Sequence, residues 1–207
     1  APGALTMPAV DWTRRDTLAL DFLSRNQALY MGRHLTQDLP QRARNIITRD
    51  YLALGDNPAA IGSRVQAGLV SQAEITDQYW RVVSTNALNQ ARSYSNLRIF
   101  DEEGINYYEF VAVMDSRTTR ICSGLNRTVW PVPVALNQFQ RMEQARTVAE
   151  LDQISPMVRA NPDGGFLIGP KDSPTAFSED ASPAWLQAHG VMVPPLHFLC
   201  RSTIRRA

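Results

Sequence analysis

The residue types with the most chemistry in this chain are concentrated in two short segments. Asp115-Ser-Arg117-Thr-Thr-Arg120-Ile-Cys122 holds one of the two cysteines, and Pro194-Pro195-Leu-His197-Phe-Leu-Cys200-Arg201 holds the other with one of the three histidines. Three chemistries fit these side chains. The plainest is structural: two buried thiols, or one Cys122–Cys200 disulfide, since two cysteines are too few for a disulfide framework. The second is a metal centre. His197-x-x-Cys200 is a compact ligand spacing, and Cys122 would complete three soft donors suited to one zinc ion, with Asp115 or His189 as a fourth. Structural zinc sites usually show two close ligand pairs, and this chain has one, so the cofactor expectation is none or a single zinc. The third is a nucleophilic cysteine with His197 as its base, which also needs an oxyanion hole that no motif supplies.

Asp115, Arg117 and Arg201 form a second set. A carboxylate just after a strand, with arginines in both segments, suits an ion pair that staples the C-terminal segment to the strand end, because the guanidinium fork matches a carboxylate. The functional alternative is an acid or anion clamp in a cleft. No second carboxylate stands nearby in sequence to make an acid–base pair, and Glu102, Glu103 and Glu109 read as surface residues. Pro194-Pro195 restricts the backbone before His197 and would deliver His197 and Cys200 in a defined pose. Arg201, Arg205 and Arg206 make a small basic tail that could touch phosphates, although a solvated terminus is the plainer reading. Walker A, dinucleotide-binding, His-Glu-x-x-His, nucleophile-elbow and paired Cys-x-x-Cys motifs are absent.

The elements that must position these residues follow from periodicity. From Trp12 to about Leu39 a helix is expected, with Thr13 and Asp16 as its start signal and Leu18, Phe22 and Leu29 on one face. A second runs from Gln41 to about Leu54, closed by Gly55-Asp56-Asn57-Pro58, and a third from Pro58 to Gly68. Ser71-Gln-Ala-Glu74 reads as a capping box opening a long helix to about Glu103. Ile75, Tyr79, Val82 or Val83, Tyr94 and Leu97 would be its buried stripe, and Gly104 its C-cap. Arg81, Asn86, Asn89, Gln90 and Arg92 read as its solvated face. Ile105 to Met114 is the best strand, β-branched and aromatic and increasingly apolar, as a central strand should be. Asp115-Ser116 begins a turn. Thr128–Trp130 is a second short strand ended by Pro131 and Pro133, Asn137 to about Leu151 a helix, and Asn161–Gly165 a turn. The expected fold class is α+β: a helical N-terminal half with a long central helix, then a small mixed sheet subdomain closed by the C-terminal segment. The divisions are an extension at 1–11, a helical region at 12–104 and an α+β region at 105–207, with a loop-rich excursion at 131–190, all in one compact unit.

Composition sets the outer bounds. A chain of 207 residues that is 44% hydrophobic can bury an ample core, and a net charge of +1 gives no global footprint for nucleic acid, so such contact would need a local patch. Lys171 is the only lysine among 21 basic residues, a bias that favours bidentate contacts but also follows from a GC-rich genome. No apolar run reaches the ~18 residues of a membrane span. The opening Ala-Pro-Gly-Ala-Leu lacks the charged and apolar regions of a signal peptide and reads as a processing boundary.

The order of these features resembles a known family. A helical region and a long helix with Asn86-Ala-Leu-Asn89-Gln-Ala-Arg92 lead to Gly104-Ile-Asn-Tyr-Tyr-Glu-Phe. Asp115-x-Arg117-Thr118-x-x-x-Cys122-x-x-Leu125 follows, and Pro194-Pro195-x-His197-x-x-Cys200-Arg201 closes the chain. Together these resemble the phage Mu F-like minor head protein, or phage head-morphogenesis, domain over about residues 40–130 and 191–204. The resemblance implies a structural virion protein associated with portal and capsid proteins, acting in head assembly or DNA packaging and delivery, and touching phage DNA through local Arg patches. Its place would be the virion, and the host cytoplasm during assembly. Related domains also occur in bacterial effector toxins. The alternative is therefore a secreted effector with an enzymatic cleft around Asp115, Arg117, Cys122 and His197, acting on nucleic acid or nucleotide. Of the two, the non-enzymatic role is favoured. Two departures from the family pattern stand out: Asn126-Arg127 replaces a Gly-containing turn, and the excursion is long.

Overall fold

A computed structural model describes residues 13–25, 39–54, 57–69 and 77–207. Its N-terminal half is helical. Helix α1 (Arg14–Arg25) opens on a reciprocal cap in which Asp16 accepts from the Thr13 backbone N–H at 3.1 Å and Thr13 Oγ1 accepts from the Asp16 N–H at 3.3 Å. This satisfies two of the donors that a helix start leaves without intrahelical partners. Helices α2 (Leu39–Leu54) and α3 (Pro58–Leu69) follow, then α4 (Asp77–Glu102), about 40 Å long at 1.5 Å per residue. The second helix thus begins at Leu39, with Pro40 in its first turn, where a missing N–H costs no hydrogen bond. The expected residues Leu29, Gly55-Asp56 and the capping box Ser71–Glu74 lie outside the described residues.

Helix α4 is the spine. It packs on α1 and α3, and on the sheet side it meets the C-terminal strand. Gly62 permits the α3 contact, since a Cβ there would stand 2.8 Å from the Arg81 Cα. Trp80, Val83, Leu88 and Leu97 are buried, and Tyr94 stacks on Phe22 of α1 at 5.1 Å between ring centroids. Arg81 and Arg92 are exposed as expected, but Asn86 and Gln90 are buried and Asn89 half-buried, so the polar stripe is not a solvated face. The helix ends in a Schellman motif: Gly104, at φ +73°, donates to the Asp101 carbonyl and Ile105 to that of Phe100.

The C-terminal half completes an α+β fold. Strand β1 (Tyr107–Val111) is central in an antiparallel sheet, between β2 (Val129–Pro131) and β6 (Thr203–Arg206). It buries Tyr108 and Phe110 on one face. The strand stops at Val111, short of the expected Met114, because side chains take over the next backbone groups: the Ala112 N–H goes to Asn126 Oδ1 and the Val113 carbonyl to the Thr118 hydroxyl. Between β1 and β2 lies helix α5 (Arg120–Leu125).

Helices α6 (Val132–Gln144) and α7 (Val148–Ile154) replace the one helix expected between Asn137 and Leu151. Pro131 and Pro133 start α6, and Thr147 caps α7 by accepting from the Glu150 N–H, which divides the segment in two. The rest of the excursion is ordered by a second antiparallel sheet, β3 (Arg159–Ala160), β4 (Phe166–Ile168) and β5 (Thr175–Phe177), and by α8 (Pro183–Ala188). The Asn161–Gly165 turn joins β3 to β4. One contiguous apolar core runs from Phe22 through Trp80 and Tyr108 to Leu186 and Ile204.

Candidate functional site

The two segments meet. Helix α5 presents Cys122 from one side, and the tail between α8 and β6 presents His197 and Cys200 from the other. Cys122 Sγ lies 3.2 Å from His197 Nε2 and 3.7 Å from Cys200 Sγ. Both cysteines are buried, free thiols. The tail's own conformation brings its two donors together: the Cys200 N–H returns to the His197 carbonyl at 3.1 Å, and Leu199 sits at φ +60° within the turn.

Each partner is held by its surroundings. Ser93 donates to the Pro194 carbonyl at 2.7 Å and Asn89 to the Cys200 carbonyl at 2.8 Å, so the polar stripe of α4 is the bed on which the tail lies. Tyr108 reaches the Met192 carbonyl at 3.2 Å from the sheet. The peptide bond between Pro194 and Pro195 is cis. His197 places Nδ1 2.9 Å from the Phe198 carbonyl, which assigns the proton to Nδ1 and leaves the Nε2 lone pair facing Cys122. Thr119 Oγ1 lies 2.9 Å from the same Nε2.

The ion pair expected between the segments is present. Arg201 grips Asp115 through two bonds, at 2.7 and 2.5 Å. Asp115 also accepts the Arg117 backbone N–H at 2.9 Å, whereas the Arg117 guanidinium is 76% exposed and stands 3.9 Å from the carboxylate. Arg117 therefore serves the site through its backbone. The Arg201 hydrogen bond, followed by the Arg117 amide, holds the Asp115 carboxyl well below the usual carboxylate range. The Cys122 S–H bond and the His197 ring draw the Cys200 thiol down against burial, and the Cys122 thiol is pushed up by the Cys200 sulfur and by burial. Burial works to lower the His197 value, but the Cys200 bond and charge outweigh it and raise it.

Other expectations resolve differently. His189 is not a fourth ligand: its ring stacks on Trp185 at 3.8 Å and Nδ1 points to the Trp185 carbonyl. Glu109 and Glu103 are the partners of Arg205 and Arg206, so all three tail arginines stand in ion pairs. Thr119, Asn89 and Ser93 also serve the site, and no motif marks them. Asn86, Asn89, Gln90 and Ser93 recur at i, i+3, i+4 and i+7, an uncharged polar stripe, and that spacing is the signal that could have found two of them.

The hollow beside the site is small. Val113, Thr119, Cys122, His197, Leu199 and Arg201 are among the residues around a volume of about 20 Å³, which holds one water or one ion. A catalytic triad is also incomplete, because Asp115 is engaged by Arg201 and His197 is oriented by a carbonyl. Compared with protein-family models, curated proteins and solved structures, the chain matches none.

Proposed function

We propose that this chain is a structural component of a phage-type head, a minor head or portal-associated protein of the Mu F-like kind, acting in head assembly or in DNA packaging and delivery. The observation that carries the reading is the closed clasp. Asp115 and Arg201 satisfy each other, as do Cys122, His197 and Cys200, and the hollow beside them is only about 20 Å³, which suits holding a tail in place. Two further features support it. Arg127 takes φ +70°, the conformation glycine adopts most readily, at the place where the family it resembles usually carries a Gly-containing turn. At the hollow Val113 and Leu199, and next to them in the chain Met114 and Phe198, leave exposed apolar surface, of the kind that packs against a protein partner.

The test is the composition of particles released from a strain that carries the gene. Mass spectrometry of purified heads should find the protein at a few copies per portal. Its absence from particles and from assembly intermediates would overturn the reading. The second reading, an effector with an enzymatic cleft, draws on the 3.2 Å Cys122–His197 contact. It predicts arrest of growth on expression.

A further inference from the structure

We infer that Cys122, His197 and Cys200 form a zinc site that locks the C-terminal tail onto helix α5. The inference stands on side-chain geometry and does not depend on the head-assembly reading. Among the described residues, these three make the one group of His, Cys, Asp and Glu side chains whose ligand atoms converge, all within 4.8 Å of one another.

The dimensions of the triangle suit a tetrahedral ion. With Zn–S about 2.3 Å and Zn–N about 2.0 Å, two sulfurs on one ion stand about 3.8 Å apart, and a sulfur and a nitrogen about 3.5 Å. Here the sulfurs are 3.7 Å apart and the Cys122–His197 edge is 3.2 Å. A disulfide would need the sulfurs at about 2.0 Å. The donor set, two thiols and an imidazole, is the soft combination that zinc takes. Two deprotonated thiols would cancel the charge of the ion, and Asp115 is already neutralised by Arg201, so the centre would carry no net charge.

The outer contacts are those of a ligand set. A ligating histidine donates its remote N–H to a carbonyl or carboxylate, which fixes the tautomer and the ring plane. His197 does so with Nδ1 towards the Phe198 carbonyl, leaving Nε2 as the inward donor. The Cys200 backbone is fixed by Asn89. The hollow, about 20 Å³ and lined in part by Thr119, accommodates a water as fourth ligand. The ion would therefore be a staple between residues 75 or more positions apart in sequence.

The test uses the full chain, kept reduced, with zinc and with cobalt(II) as spectroscopic probe. The expected result is one equivalent of zinc per chain. Cobalt should give the strong visible bands of a tetrahedral site and sulfur-to-cobalt charge-transfer bands. Cys122→His should still bind one cobalt with the charge-transfer intensity halved, His197→Cys should raise it by half, and His189→Ala, whose ring stacks on Trp185 away from the site, should leave it unchanged. A chelator should lower the melting temperature of the wild-type chain. A folded, reduced wild-type chain that retains no zinc and gives octahedral cobalt spectra would overturn the inference. So would thiols trapped during lysis as a Cys122–Cys200 disulfide.

Discussion

At Asp115 a single carboxylate joins the two halves of the clasp, and its titration has a defined sign. Its folded-state pKa lies below that of the unfolded chain, held there by Arg201. Its contribution is therefore fully present above the unfolded value of about 3.9 and is lost as pH falls through the folded value. Asp115→Asn should melt below wild type at pH 6–7, and the gap should close as pH drops below ~4. A gap constant from pH 7 to pH 3 would show that the charge is irrelevant. Arg127, at φ +70°, is the second informative residue. Arg127→Gly should be neutral or stabilising by up to about 1 kcal/mol, and Arg127→Val destabilising by about 1–3 kcal/mol, since a branched Cβ is costly in the left-handed region. Urea melts of both variants check this; a glycine variant less stable than the valine variant would contradict the turn.

Helix α4 is the element on which the tail lies, and that was the least legible part of the chain. Its existence, its end at Gly104 and its apolar stripe through Val83, Tyr94 and Leu97 follow from spacing and from one glycine. The fate of Asn86, Asn89, Gln90 and Ser93 does not, because local pattern cannot tell a polar face in water from one under a tail more than a hundred residues later. The same limit explains β1: its aromatic start is readable, but its end at Val111 is set by Asn126 and Thr118 from elsewhere. Two substitutions test the packing of these elements. Tyr108→Phe leaves the buried Met192 carbonyl without its donor and should cost about 1–3 kcal/mol by denaturant melt. Gly62→Ala forces a methyl against the Arg81 backbone and should cost about 1–3 kcal/mol through separation of α3 and α4. An unchanged midpoint in either would place the elements wrongly.

Across the whole molecule, the clasp is where distant parts of the chain close on each other. The meeting of Cys122, His197 and Cys200, and of Arg201 with Asp115, was legible because the chain has only two cysteines and each stands in one of the two segments, with His197 and Arg201 beside the second. The second sheet and the division of α6 from α7 were not, since strands of two or three residues carry no periodicity and the break rests on one Thr147 cap. In the proposed structural role this closure holds the fold together. The most direct test pairs growth with thermal melting for wild type, His197→Ala and Cys122→Ser. Expression of the wild-type chain should leave growth unaffected, and both variants should melt several degrees lower. Growth arrest by the wild type, abolished by either substitution with an unchanged melting curve, would contradict the account.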